Sequence, residues 1–161
     1  MPEVTRLTPQ DWSALRAVRL AALVDSPHAF ASTLARETAF TEADWRSWPS
    51  RHAVFAALVD GTPVGLAAGA PDPAGLELVS LWLAPGHRGG GLADGLVAAV
   101  VGRAGELGVD TVTAWVWEHN ARAHRFYDRL GFAPTGRGEP NPAHRDQLEV
   151  ELALPVPGPA R

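Results

Sequence analysis

The chain contains no cysteine and no lysine; all fourteen of its basic residues are arginine. The first absence excludes a disulfide scaffold, a thiolate zinc site and a cysteinyl intermediate. The second excludes a P-loop lysine and a Schiff-base lysine. Long apolar runs are missing too. The opening MPEVTRLTPQDW has no stretch of signal-peptide character, and no segment approaches the roughly 20 apolar residues of a membrane span, so no membrane partner is expected and the cytoplasm is the expected location. Nor is there an excess of positive charge. The formal charge is −4, the pI is near 5.8 and the arginines are scattered, which argues against nucleic acid as a partner.

What remains is ordinary globular material, 46% hydrophobic and 20% charged over 161 residues, enough for one core. A single domain over 1–154 is expected, followed by a disordered proline-rich tail over 155–161. Strand and helix signals are mixed. Glu3 to Leu7 reads as a strand, and Thr8-Pro9-Gln10-Asp11 as a helix start. Trp12, Leu15, Val18 or Arg19, Ala22 and Leu23 then recur at helical spacing as far as Val24. Two short helices are expected between His28 and Pro49, the second capped by Thr41.

Asp60-Gly61 separates the apolar runs Ala53–Val59 and Val64–Ala70 as a hairpin turn, and Leu76–Leu83 makes a third antiparallel strand after a turn at Pro71–Gly75. A helix over Gly91–Leu107, a strand over Thr111–Trp117, a helix over Ala121–Leu130 and a last strand over Leu148–Leu154 complete the order. Pro134 to Asp146 reads as a loop. The fold class is α+β, with a mixed, mostly antiparallel central sheet flanked by helices.

The richest stretch runs from Leu83 to Ala93, where a strand enters a glycine turn that opens onto a helix. Glycines permit positive φ and close approach to the main chain, and a helix N-terminus carries roughly half a positive charge, so a phosphate or pyrophosphate suits the turn. Arg88 adds a forked donor. A Rossmann fingerprint does not fit. Its first glycine belongs tight against the strand end, whereas Ala84 to Arg88 intervene here, and no acidic residue closes a following strand. In the later stretch Glu118 to Phe132, Asn120 stands at a helix cap and Tyr127 two turns on, about 10 Å along the axis and nearly on the same face. Read alone, these two are an ordinary cap and a half-buried core aromatic.

Together the two stretches resemble the GNAT (Gcn5-related) N-acetyltransferases. Arg88-Gly89-Gly90-Gly91-Leu92-Ala93 is similar to the family's R/Q-x-x-G-x-G/A pyrophosphate motif, and Asn120 to Phe132 to its N-x-x-A-x-x-F-Y-x-x-x-G-F motif. The resemblance covers roughly Ala53 to Phe132, and the segment Arg19 to Thr33 is similar to a bacterial branch without assigned substrates. It implies acetyl-CoA as acyl donor, no metal, and a splayed sheet that takes the pantetheine arm between Leu76–Leu83 and Thr111–Trp117. Main-chain groups near Leu81 and Leu83 would bind that arm, amides from Arg88, Gly89, Gly90, Gly91, Leu92 and Ala93 would hold the pyrophosphate, and Asn120 would contact the arm. Tyr127 would protonate the leaving sulfur. A homodimer is expected on family analogy alone.

Transfer to an amine has a protonation problem. An amine of pKa about 10.4 is mostly charged at neutral pH, and freeing it costs about 4.6 kcal/mol. A carboxylate or a histidine acting directly or through water meets that need. Glu77 is the first candidate base, expected to share a strand face with Val79, Leu81 and Leu83; a rim carboxylate is the plain alternative. Glu118 is the second candidate. Glu37 and His28 are candidates for recognising the acceptor, although structural or solvated roles compete. The function expected is transfer of acetyl from acetyl-CoA directly to a primary amine of a small molecule or peptide in a ternary complex. A non-catalytic acyl-CoA binding or sensing module is the alternative.

Overall fold

The computed structural model describes residues 2–142 and 144–157. Seven strands form one sheet in the order β1-β2-β3-β4-β5-β7-β6. The strands are β1 (Pro2–Arg6), β2 (Ala53–Val59), β3 (Thr62–Asp72), β4 (Gly75–Leu83), β5 (Thr111–Trp117), β6 (Ala133–Pro140) and β7 (Leu148–Pro155). The helices are α1 (Trp12–Asp25), α2 (Leu34–Thr38), α3 (Glu42–Arg51), α4 (Leu92–Leu107) and α5 (Ala121–Arg129). All strand pairs are antiparallel except β4 and β5. Among the described residues no helix is long and apolar enough to cross a membrane.

Sequence chemistry sets these boundaries. Thr41 accepts from the Asp44 amide while the Asp44 carboxylate accepts from the Thr41 amide, a capping box that starts α3. Gly108, in the left-handed region at φ +73°, ends α4. The α1 stripe of Leu15, Val18, Ala22 and Leu23 packs with Trp45, Val54, Leu66 and Trp82 on one face of the sheet. On the other face Leu96, Val97, Val100 and Ala104 of α4 pack against Leu76, Leu78, Val112 and Ala114. The α4 helix holds despite Gly95, Gly102 and Gly105 because this buried stripe outweighs the loss of about 1 kcal/mol per glycine.

Three sequence expectations change. The segment read as a loop from Pro134 contains β6, an edge strand exposed along its whole length and paired with β7. Its proline and glycine content and lack of apolar alternation hide it, since an edge strand exposed on both faces needs no hydrophobic side. The strand ahead of the β3–β4 turn runs on to Asp72, so the turn is confined to Pro73 and Ala74. At the C-terminus Pro155 closes β7, and the Val156 amide donates to the Asp110 carbonyl with its side chain buried. Ordered structure therefore passes the boundary expected at 154; residues 158–161 of the expected tail lie outside the described residues.

Gly75 shows how tightly the β3–β4 corner is built. It sits at φ +146°, and a Cβ there would overlap the Thr111 carbonyl oxygen of the neighbouring strand. Gly75→Ala is expected to destabilise the fold by roughly 2–3 kcal/mol, read as a midpoint shift in urea unfolding with an unchanged slope.

Candidate active site

The only parallel pair among the described residues is also where the sheet splits. β4 and β5 pair at Leu76–Val112, Glu77–Thr113 and Leu78–Ala114, and no ladder pairing joins them beyond that point among the described residues. β4 stays on β3 as far as Leu83, while β5 stays on β7 as far as Trp117. The five residues beyond Leu78, Val79 to Leu83, advance about 16 Å, so the sheet opens into a wedge of that length.

A β-bulge stands where the wedge begins. The β3–β4 register passes from Ala68–Val79 to Leu66–Trp82, leaving Ser80 and Leu81 together opposite Ala67. Ser80 adopts φ +60°, a conformation costing a non-glycine residue about 1–3 kcal/mol. The bulge corrects the expected alternation. Glu77 and Val79 lie on the α1 face with Trp82, whereas Leu81 and Leu83 lie on the α4 face with Leu78. A run of alternating residues in the sequence carries no sign of that switch.

Beyond β4 the chain makes one 3-10 turn, Pro85–His87, and enters the glycine turn. Gly89 and Gly91 have φ of +83° and +90°, and Gly91 is the N-cap of α4. A Cβ built at Gly86, Gly89, Gly90 or Gly91 meets nothing within 4 Å. Internal packing therefore does not account for the glycines; the main chain is open on that side and ends on a helix of sixteen residues. Such a turn fits a phosphate.

The Arg88 guanidinium is engaged within the chain. Its Nε donates to the Leu83 carbonyl at 2.8 Å and its Nη2 to Asp25 Oδ2 at 2.9 Å. Asp25 also accepts from Trp82 Nε1 at 2.9 Å and from Ser26. These bonds, with the Trp82 indole foremost, hold the Asp25 carboxyl below its ordinary value. Arg88 thus ties the glycine turn to the end of α1 and satisfies the last carbonyl of β4.

Asn120 caps α5, its side-chain oxygen accepting from the Ala123 amide at 3.1 Å. Arg129 forms a two-pronged ion pair with Asp94 in the first turn of α4, both bonds 2.9 Å. The helices that carry the two motifs are therefore clamped together. Tyr127 is buried between the edges of Phe126 and Phe132, with ring centroids 5.1 Å away on each side. Burial pushes its phenol up to about 12, so it is a protonated donor throughout the neutral range.

A cleft of about 480 Å³ follows the wedge, lined among others by Arg19, Glu77, Leu81, Trp115, Tyr127 and Glu149. Glu77 is half-buried. Desolvation, then repulsion from Asp72, Glu149, Glu151 and Glu139, raises its carboxyl above the ordinary 4.5. Glu139 and Glu149 come from the β6–β7 hairpin and also line the cleft. Asn141, buried at the end of β6, donates to Glu149 Oε1 at 2.5 Å and fixes that carboxylate. These residues escaped the sequence reading: Glu139 and Asn141 lie in the stretch taken for a loop, and nothing local in the expected strand that holds Glu149 shows that it lies beside β5.

The remaining candidates are dispersed. Glu118 is exposed at the end of β5 and is not part of the cleft lining. His28 packs edge-on against His144 at 5.7 Å, and His144 packs equally against Trp117, linking the segment after α1 to the β6–β7 connection. Glu37 is buried and gives both carboxylate oxygens to Arg19, at 2.7 and 2.9 Å. Burial pushes the Glu37 carboxyl up, but the bonds from Arg19 and Ser32 outweigh it and hold it below 4.5. Arg19, placed by sequence in the apolar stripe, is indeed buried, as half of an ion pair.

A mixed sheet split at its one parallel pair, with an open glycine turn at the wide end and a buried tyrosine on the next helix, is the frame that the two sequence motifs imply. The chain belongs to the acetyltransferase (GNAT) family, whose model matches residues 18–132. An uncharacterised N-acetyltransferase of Mycobacterium tuberculosis is 38% identical over 87 residues, covering 53% of this chain and 56% of that protein. The match thus spans about half the length of the curated relatives. Among solved structures, the fold is similar to that of yncA, a putative acetyltransferase of Salmonella typhimurium solved with its cofactor acetyl-CoA. That likeness has a TM-score of 0.78 and 17% identity, over 100% of this chain and 97% of that one. The ribosomal-protein-S18-alanine N-acetyltransferase of Escherichia coli aligns with a TM-score of 0.72 and 22% identity, over 100% of this chain and 97% of its own.

The buried Arg19–Glu37 pair gives a stability prediction. Glu37→Leu leaves a guanidinium unpaired and is expected to cost roughly 3–5 kcal/mol at pH 7 in urea unfolding. Because the folded carboxyl lies below its unfolded value, the pair's contribution is full above about pH 4.5 and is lost as pH falls through the depressed value, so the gap between wild type and variant narrows in acid.

Proposed function

We propose that the protein is an N-acetyltransferase that moves the acetyl group of acetyl-CoA directly to a primary amine. The observation that carries this reading is the wedge itself: an open glycine turn at one end, two strand edges without a common ladder along its length, and Tyr127 and Glu77 both lining the cleft. The donor supplies a thioester, and transfer to an ammonium sheds two protons from nitrogen, one to a base and one whose equivalent ends on the departing sulfur.

Main-chain amides over residues 88–93 would receive the pyrophosphate with the α4 N-terminus behind them. The freed edge of β4 at Leu81 offers main-chain groups to the amides of the pantetheine arm. Asn120 holds the start of α5 and so sets the position of Tyr127 along the cleft.

Glu77 takes the amine proton, directly or through water. Its raised carboxyl narrows the gap to the ammonium. As the new C–N bond forms and the C–S bond breaks, the protonated Tyr127 phenol delivers its proton to sulfur, and the second proton, shed by the newly acylated nitrogen, restores the phenol. Low polarity around Tyr127 makes a departing thiolate more basic and assists that step. Glu77, Glu139 and Glu149 give the cleft a negative wall, which favours an acceptor arriving as a cation.

The reading is tested by offering a panel of amines with acetyl-CoA and following free thiol release. Cationic amines are expected to release thiol; binding of coenzyme A without release across the panel would instead indicate a binding module. Once an acceptor is found, Tyr127→Phe should lower kcat by about 10²–10³-fold with acetyl-CoA affinity retained. Glu77→Gln should lower kcat/KM by a similar factor, and in the wild type kcat/KM should fall in acid through a pKa above 4.5 that the variant lacks. Unchanged turnover in Tyr127→Phe removes the phenol as the acid.

A further inference from the structure

Arg19 is a buried cation on α1 at a position where an apolar side chain would continue the stripe of Leu15, Val18, Ala22 and Leu23. Burying an ion pair is costly, and well-packed apolar residues often do as well or better for stability. The pair's geometry shows what is obtained instead. All three guanidinium nitrogens are committed: Nε and Nη2 to Glu37 of α2, and Nη1 to Ser80 Oγ at 3.0 Å. The guanidinium also lies 4.6 Å from the Phe30 ring centroid and 5.1 Å from that of Trp48, so rings from two further segments fix its place. Its single bond to the sheet goes to the residue in the bulge.

Ser80 is unusual on its own terms. A glycine would take φ +60° with the least strain. Serine accepts that strain and offers a hydroxyl that Arg19 reaches across the helix–sheet interface. The bulge it occupies is where β4 leaves β5, two residues past the last ladder pair, and it sends Leu81 to the opposite face from Glu77.

We propose that Arg19 is a positioning residue for the acyl-donor arm: through Ser80 it holds the bulge that presents the Leu81 main chain to the wedge, and Glu37 holds Arg19. The inference rests on the reading of the wedge as an acetyl-CoA site, and it gives Glu37 a role behind the donor instead of against the acceptor. Donor affinity is then set in part from the α1–α2 side of the sheet, through the Glu37–Arg19–Ser80 chain of bonds.

The test uses the full chain, coenzyme A as the probe, titration calorimetry and thermal unfolding. Ser80→Gly relieves the strained φ and removes the hydroxyl. It is expected to keep or raise the Tm while weakening coenzyme A by about tenfold, the effect of one lost hydrogen bond to a charged group. Arg19→Gln should weaken coenzyme A to a similar extent, and adding Ser80→Gly to it should weaken binding no further, because both act through the same bond. A purely structural bond would move the Tm and leave the affinity alone. Wild-type affinity in Ser80→Gly, or additive losses in the double variant, overturns the proposal while leaving the function reading standing. A wild-type chain that does not bind coenzyme A removes both.

Discussion

A β-strand edge is a row of amides and carbonyls that must be paired or wet. In this chain two neighbouring parallel strands stop pairing after Leu78 and Ala114 and leave such edges facing each other in the middle of the sheet. Elsewhere in a fold that would be a defect costing several unmet hydrogen bonds. Here each strand is secured on its other side, β4 by β3 and β5 by β7, so the two halves of the sheet stay intact and the wedge between them stays open. A guest with amides of its own can complete both edges, and the open glycine turn at the wide end is placed to receive the charged end of such a guest.

Most of the polar bonds around the wedge hold it in shape. Arg88 joins the glycine turn to Asp25 at the end of α1, Arg129 joins α5 to Asp94 at the start of α4, and Arg19 joins α1 and α2 to the bulge. Exposed ion pairs contribute little to stability, so the first two matter more for register than for energy. With lysine absent, every such tie is a planar fork, which fixes direction as well as distance. Against this frame the two groups proposed for proton transfer are shifted from their ordinary values by ordinary causes. Burial acts on Tyr127, and burial with neighbouring carboxylates acts on Glu77.

The parts of this arrangement that could be read from sequence are local. The strand, glycine turn and helix from Leu83 to Leu107 follow from neighbouring residues, as do the Asn120 cap and the return of Tyr127 seven residues later; the family resemblance rests on the same two stretches. Features that depend on contacts between distant segments were hidden. The bulge at Ser80 sends Leu81 to the opposite side of the sheet from Glu77, yet its partner is Arg19, sixty-one residues earlier. Arg19 itself looks like an interruption of an apolar stripe until Glu37 is placed beside it. The carboxylates of β6 and β7 enter the cleft only because an unpatterned segment pairs as an edge strand, and the sequence marks that segment as a turn.

The most direct test of the central claim is a crystal structure of the protein with coenzyme A. The account predicts the pantetheine arm between β4 and β5 beyond Leu78, its amides bonded to the freed strand edges. The diphosphate should lie on the amides of residues 88–93, and the sulfur within hydrogen-bonding reach of the Tyr127 hydroxyl. Coenzyme A bound elsewhere with the wedge filled only by water, or a sulfur remote from Tyr127, would contradict it.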